Sequence, residues 1–338
     1  MFSFALGVGT KDSNGNWLEV YYPDPWINPS REVLAPLFDS LKYQGGNVVV
    51  EIPSVQVSVL AGQIKDPDIS RLLGIMQEHH EPLVAVMLET DDKPQSVPEA
   101  YLKLHLLSHR LVKPHGINLE GIFGLLQNVA WTNRGAMAVE DLAVNQLQAR
   151  LKGETIDVLS VDKFPKMTNY IVPDGVRIAD TARVRLGAYI GKGTTIMHEG
   201  FVNFNAGTEG TAMVEGRISA GVFVGNNSDL GGGCSIMGTL SGGGTEVISV
   251  GENCLIGANA GLGFPLGDRC TIEAGLYVSA GSKVTVMDSD LNPVEVIKAR
   301  ELSYKNDLLF LRNSSTGVVE CRTNRSKIEL NEELHANN

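Results

Sequence analysis

From Val172 to Val284 an aliphatic residue recurs at every sixth position. That spacing is too long for a strand, whose side chains change face at each residue, and it drifts out of phase with an α-helix. Val172, Ile178, Val184, Ile190, Ile196 and Val202 make one run, and Ile218, Val224, Leu230 and Ile236 a second. Val250, Ile256 and Leu262 make a third, and Leu266, Ile272, Val278 and Val284 a fourth. Four positions after the aliphatic the side chain is usually small, as at Ala182, Ala188, Thr194, Gly200, Ala206, Ser228, Cys234, Cys254, Ala260, Cys270 and Ser282. Large and small residues alternating inward suit a triangular coil in which each six-residue unit gives one short strand and a tight turn. Three units close a coil, and each coil buries its end on the next, so the repeats support one another as a one-dimensional stack. With strands roughly 4.8 Å apart, the run predicts about six coils and a prism on the order of 28 Å tall.

The six-residue period divides the chain. Residues 1–165 lack it and read as an α/β N-terminal domain, 166–287 form the parallel β-helix, and 288–338 form a small C-terminal unit that caps the prism. The fold class is therefore mainly β. Within the first domain, Phe4 to Gly9 and Trp17 to Tyr22 flank the turn signal Asn14-Gly15 and predict a hairpin. Asn47 to Ile52 and Pro82 to Leu88 read as buried strands, and helical spacing appears over Glu32 to Leu41, Ser70 to Gln77, Val97 to Val112 and Val139 to Leu151. The third helix has Ser96 as N-cap with Glu99 three residues on, and the fourth carries Glu140 and Asp141 in its first turn. Residues 156–173 lead into the coils. Past Val284 a polar turn precedes an extended piece at Val294 to Val296 and an apolar strand at Leu308 to Leu311; the tail from Thr323 reads as loose.

Composition narrows the function. A formal net charge of −11 argues against a nucleic-acid or anionic-membrane surface, so an anionic ligand must be met by local basic residues. The 37 glycines concentrate between Gly187 and Gly281, where the regular Val and Ile exclude a disordered linker. Four cysteines form no CxxC pair, and Cys234, Cys254 and Cys270 fall on the small inward slot, as packing residues in a reducing cytoplasm. The opening MFSFALGVGT has no basic n-region and reads as a hairpin strand, not a signal peptide. No apolar stretch approaches membrane-spanning length.

An uninterrupted prism has no pocket, so chemistry is expected where the repeat slips. One break spans Asn205 to Arg217, NAGTEGTAMVEGR, and another Gly238 to Glu246, GTLSGGGTE. In the first, Glu215 and Arg217 flank Gly216: a carboxylate and a guanidinium that serve either as base and anion clamp or as a surface ion pair.

The stretch MHEGFVNFNAGTEGTAMVEGRISAGV, with DLGGGCSIMGTLSGGGTEVISVG, GANAGLG, IEAGLYV and LLFLRNSS, resembles the tetrahydrodipicolinate N-succinyltransferases of bacterial lysine and diaminopimelate synthesis. The likeness covers roughly Ile171 to Ser315 and is to the form with a longer N-terminal domain. It implies a left-handed prism, whereas ordinary parallel crossovers are right-handed. It also implies a homotrimer with active sites between neighbours, succinyl-CoA along the coil groove, and 2-amino-6-oxopimelate, opened tetrahydrodipicolinate, as the acceptor.

The resemblance places the catalytic carboxylate at Glu215 and an acyl-CoA contact at Arg217. Further CoA contacts fall at Gly232, Ser235, Ala258, Glu273, Ala274, Gly281, Lys298 and Leu311, Arg312, Asn313 and Ser314. Glu199 corresponds to a carboxylate that gathers a divalent cation, Mg²⁺, where three subunits meet, since three symmetric carboxylates would otherwise repel. The second acidic ligand is replaced by Ala182, with Asp180 two residues earlier.

The chemistry suits these roles. The acceptor amine must lose a proton to attack the thioester, so Glu215 acts as general base or as a covalent acyl carrier. Gly232, Gly257 and Gly281 let an acyl chain approach backbone N–H groups that polarise its carbonyl. Lys298, Arg300, Lys305 and Arg312 make the C-terminal unit locally basic for CoA phosphates, and Arg183, Arg185 and Arg217 are candidates to clamp substrate carboxylates. His198 invites a catalytic-histidine reading, as in other hexapeptide acyltransferases acting on serine or nucleotide sugars, but the EGR and LSGGGTE words disfavour that branch. A zinc carbonic anhydrase needs three convergent histidines, and the repeats contain only His198. A non-catalytic scaffold has no use for two loop breaks.

Overall fold

The computed structural model describes residues 1–77, 81–239 and 246–324. Two compact units emerge among the described residues, one of residues 1–111 with 116–165, the other of residues 112–115 with those after Pro165.

In the first unit β1 (Ser3–Lys11) and β2 (Trp17–Tyr21) pair antiparallel. Gly15 adopts φ +84°, and the Asp12 carboxylate accepts from the N–H groups of Asn14 at 2.9 Å and Asn16 at 2.8 Å. The short β3 (Trp26–Ile27) also pairs with β1. After α1 (Arg31–Ser40) come β4 (Val48–Glu51), α2 (Ser54–Gln63), α3 (Pro67–Met76) and β5 (Leu83–Leu88), giving the strand order β2-β1-β5-β4 with β5 buried throughout. As an edge strand, β4 is only half-buried, unlike the buried strand its apolar run predicts.

Two further differences have local causes. Helix α2 forms where Val55, Val57 and Val59 alternate as a strand would. The helix instead buries Val57 and Leu60 while exposing Val55 and Val59. The next helix, α4 (Val97–Ser108), stops short of Val112, because Arg110 turns into the left-handed region at φ +62° and residues 112–115 join the other unit. Its cap forms as expected: Ser96 Oγ accepts from the Glu99 N–H at 3.4 Å.

All twelve residues of α4 except the first have their side chains buried, Lys103 and His105 included. The Lys103 ammonium donates to Asp91 Oδ1 and the Asp92 carbonyl at 2.5 Å and to the Asn118 carbonyl at 2.9 Å, which satisfies its three protons. His105 donates from Nδ1 to the Tyr101 carbonyl at 2.7 Å and accepts the Tyr22 N–H at Nε2 at 3.2 Å, an arrangement that requires the neutral ring. The unit is completed by α5 (Ile122–Leu125), β6 (Val129–Thr132), β7 (Gly135–Ala138), α6 (Val139–Leu151) and β8 (Val158–Asp162). Strand β8 occupies part of the segment read as a plain lead-in, and the order is β7-β6-β8.

The second unit is a three-sided parallel β-helix. Seven strands stack on its longest face, from Arg177–Ile178 through Thr194–Ile196, Ala212–Val214, Ser228–Leu230, Leu255–Ile256 and Thr271–Ile272 to Leu308–Arg312. Another face stacks Phe201–Val202, Arg217–Ile218, Ser235–Ile236, Gly261–Gly263 and Tyr277–Ser279. The third stacks Tyr189–Ile190, Gly207–Thr208, Phe223–Val224 and Ser249–Val250. Of the hexad aliphatics all are buried except Val172 and Ile178. Val172 is 69% exposed because it precedes the first stacked strand and has no coil to pack into. Ala182 at the same open end is likewise exposed.

Register locates the slips. Thr195 pairs with Arg177 eighteen residues back, but Phe201 pairs with Arg217 only sixteen on, and Phe223 with Ser249 twenty-six on. Thr208 and Val214 are buried and keep the period, so the break expected over residues 205–217 contracts to the single corner Glu215-Gly216, which is two residues short. The other break enlarges one coil, and its residues 240–245 lie outside the described residues. The final coil is closed by Leu308–Arg312 pairing parallel with Thr271–Ile272, so the C-terminal segment extends the ladder itself. Pro293–Lys298 and Val319–Thr323 flank Lys283–Met287 beside it. Residues 325–338, most of the tail read as loose, lie outside the described residues.

Candidate active site

One edge of the prism, where the seven-strand face turns into the five-strand face, collects most of the candidate residues. Its corners are residues 197–200, 215–216, 231–234, 257–260 and 273–276, taken coil by coil. Four of the five have four residues, and their hydrogen bonds repeat. The first N–H continues the ladder, as in Gly231 to Ile256 O at 2.8 Å, Gly257 to Ile272 O at 2.8 Å and Glu273 to Phe310 O at 2.9 Å. The third donates back one coil, Gly233 to Glu215 O, Asn259 to Gly232 O and Gly275 to Ala258 O, and the fourth closes its own turn.

The second N–H of each corner has no backbone acceptor among the described residues. Those positions are His198, Gly232, Ala258 and Ala274. The last three coincide with expected CoA contacts, and they form a column of N–H donors without a backbone acceptor, spaced by the coil rise, roughly 4.8 Å. Gly257, by contrast, donates its N–H to the ladder and has none to offer a ligand, unlike the Gly232 N–H.

The short corner departs from this pattern: its second residue, Gly216, takes the place of a fourth, accepting the Phe201 N–H at 3.0 Å while its own N–H has no backbone acceptor among the described residues. Glu215 sits there half-buried, its N–H held by Leu230 O at 2.8 Å and its carbonyl by Gly233 N–H at 3.0 Å. A Cβ at Gly216 would collide with Cys234 Sγ, so only glycine lets the truncated corner lie flat on the coil beneath. A Cβ at Gly232 would lie 3.5 Å from Glu215 Oε2 and 3.8 Å from Glu199 Oε2. Both carboxylates therefore reach the space that glycine leaves open. Glu215 and Arg217 form no ion pair with each other or with other described residues, so the surface-pair reading falls away. Burial, with Asp229 and Glu215 adding negative charge, pushes the Cys234 thiol up to about 12 and keeps it protonated and unreactive.

Other candidates fall along or beside this edge. Arg217 is exposed and pairs in register with Ser235 at the start of the five-strand face. Glu273 accepts the Arg312 N–H at 2.8 Å, which ties Leu311, Arg312, Asn313 and Ser314 to the top of the column. Asn313 accepts from the Ser315 and Thr316 N–H groups and donates to Glu320 at 2.8 Å, so its side chain builds the turn. Glu320 is buried, and its bonds from Asn313 and Arg322 hold its carboxyl below the usual range. Gly281 and Lys298 lie at the far end of the five-strand face, both exposed, with the Lys298 N–H capped by Glu301 at 3.1 Å.

Arg183 and Arg185 are not free clamps. Arg183 donates to the Glu199 and Gly200 carbonyls, and Arg185 to Asn203 Oδ1 while lying over the Phe201 ring. His198 is exposed. Asp180 accepts the Ala182 N–H at 3.0 Å, and no group of three His, Cys, Asp or Glu able to hold a metal occurs among the described residues.

Comparison with known proteins decides the family. Residues 55–124 match the family described as tetrahydrodipicolinate N-succinyltransferase N-terminal, 126–166 its middle region, and 247–280 the hexapeptide repeat of succinyl-transferase. The 2,3,4,5-tetrahydropyridine-2,6-dicarboxylate N-succinyltransferase of Pseudomonas putida is 63% identical, covering 100% of this chain and 99% of its own. The Vibrio cholerae protein of that name is 57% identical with the same coverage. This chain is a tetrahydrodipicolinate N-succinyltransferase family member. A solved structure of a putative N-succinyltransferase from Campylobacter jejuni matches with a TM-score of 0.89 at 32% identity, covering 97% of this chain and 93% of that one. The N-succinyltransferase likeness thus extends through the N-terminal unit, where the sequence words quoted above are silent.

Proposed function

We propose that the protein transfers the succinyl group of succinyl-CoA to the amine of L-2-amino-6-oxopimelate, the opened form of tetrahydrodipicolinate, in lysine and diaminopimelate biosynthesis. The observation that carries this reading is the column of unpaired N–H groups at Gly232, Ala258 and Ala274, which runs up to the two-residue corner bearing Glu215. A pantetheine arm carries amide carbonyls that suit such donors, and laying it along the edge brings its thioester to the shortened corner. There Glu215 takes the proton of the attacking amine, or carries the acyl group as a mixed anhydride. Gly232 N–H stabilises the oxyanion, and Arg217 binds a carboxylate of donor or acceptor. Ser235, Gly281, Lys298 and the Leu311–Ser314 turn complete the CoA groove, with Glu273 fixing that turn through Arg312.

The working assembly is a cytoplasmic homotrimer of left-handed prisms with the site between neighbours. No described helix is long and apolar enough to cross a membrane. Three bodies are proposed, 1–165, 166–287 and a capping 288–338. For Mg²⁺, one chain offers Glu199 without a three-ligand cluster among the described residues, and Asp180 is engaged in a turn. That donor set does not fit a metal within one chain, and the reaction above uses none.

The test is CoA release with succinyl-CoA and tetrahydrodipicolinate, run beside acetyl-CoA and serine, for the native protein and Glu215→Gln. Turnover only with the first pair, lost in the variant while CoA affinity is kept, is expected. Near-native turnover in the variant removes Glu215 from the chemistry. Hydroxylamine trapping distinguishes acyl carrier from base.

A further inference from the structure

A cavity of about 640 Å³ opens in the N-terminal unit, lined by Val8, Tyr21, Pro23 and Asp24 on one side and by Arg71, Leu72, Ile75 and Met76 of α3 with Leu83 on the other. Its volume falls within the range of small-molecule sites, and its walls are mostly apolar. Asp24 and Arg71 are the two charged groups among the described lining residues. Arg71 acts on Asp24 as a charge at a distance and donates it no hydrogen bond, so the two opposite charges face one cavity without neutralising each other. Both lie outside the residues placed in succinyl transfer. Ile75, also in the lining, is 68% exposed among the described residues, an apolar surface left open.

From the unpaired Asp24 and Arg71 set in an apolar cavity, we propose that the N-terminal unit binds a free α-amino acid with an aliphatic side chain. The ammonium pairs with Asp24, the carboxylate with Arg71, and the chain lies against Leu72, Ile75 and Met76. A dicarboxylate such as the proposed acceptor is disfavoured. Asp66 and Asp68 at the start of α3 already act on Asp24 as like charges, and a second ligand carboxylate would add to that repulsion. Burial and these neighbours hold the Asp24 carboxyl above its ordinary range, a shift that an incoming ammonium would reverse.

The experiment is calorimetric titration of the full-length protein with L-norleucine, N-acetyl-L-norleucine, L-norleucinamide and L-glutamate at millimolar concentration. L-Norleucine is expected to bind, and each blocked analogue and glutamate to bind at least about tenfold more weakly, the loss of one charged hydrogen-bonded contact. Asp24→Asn and Arg71→Gln should each weaken L-norleucine to a similar degree, while succinyl transfer without added amino acid and the thermal midpoint stay native. Absence of L-norleucine binding overturns the proposal, as does binding equal to that of either blocked analogue or undiminished in both variants. These outcomes are read apart from transfer, so they do not depend on the role of Glu215.

Discussion

At the scale of single residues, the site depends on two positions where a side chain is missing. Gly216 lets the two-residue corner pass over Cys234, and Gly232 leaves open the space toward which Glu215 and Glu199 point. A methyl group placed 3.5 Å from Glu215 Oε2 makes ordinary contact and does not strain the fold, so Gly232→Ala should retain its thermal midpoint. In the proposed reaction the same methyl would occupy the place of the reacting amine, and kcat/KM should fall by roughly a hundredfold, as expected when reactants are held out of line. An unchanged kcat/KM would move the acceptor elsewhere. Glu215 was legible in the sequence because the slip of the repeat and the words around it coincide there. The column of free N–H groups was not, since it follows from which backbone donors the ladder uses and leaves no trace in side-chain identity.

Among elements, the hexad strands and α4 contribute stability in different ways. Ile218 is fully buried between coils that pair on both sides of it, so Ile218→Ala should destabilise the prism by about 2–5 kcal/mol, the range for large cavities in a packed core. Denaturant titration followed in the prism would measure it, and a loss below about 1 kcal/mol would mean that the stack relaxes into the gap. Burial holds His105 of α4 at about 3 and His109, just past its end, at about 4, both below the ordinary 6.5. The unfolded chain therefore binds protons that the folded chain refuses. The stability of the N-terminal unit should be full above about pH 6.5 and fall continuously as pH drops toward 3. Equilibrium unfolding between pH 7 and 4 checks this, and His105→Gln should flatten the slope; a slope unchanged by that variant would assign the acid sensitivity to other groups. The N-cap at Ser96 announced α4 in the sequence, whereas the burial of its Lys103 and His105 did not show, because only tertiary partners make a cationic side chain tolerable inside. Similarly, Val55, Val57 and Val59 have a strand's alternation, and packing rather than local preference makes them a helix.

The molecule as a whole shows which features of a repeat survive translation from sequence to structure. The period gave the three faces because each coil must bury the same kind of residue, but the break over residues 205–217 appeared too wide because Thr208 is not aliphatic although it keeps the inward position. In the proposed trimer, Arg217 and Lys298 serve one neighbour-completed groove. Lys298→Ala should raise the KM for succinyl-CoA several-fold with kcat little changed, while sedimentation still reports three chains. A KM that does not move would make Lys298 a solvated charge.

In the proposed reading the shortened corner also fixes where a long, flexible donor stops. Identical rungs, one per turn of the coil, would let a chain of amides shift up or down by a rung at almost no energetic difference. On that reading the shortened corner removes the degeneracy, because there alone along the edge a half-buried carboxylate, Glu215, stands on a two-residue turn, and one placement brings the reactive carbon beside it. A deletion of two residues thus sets the phase of an otherwise uniform rail, and gives a periodic scaffold a single address for chemistry.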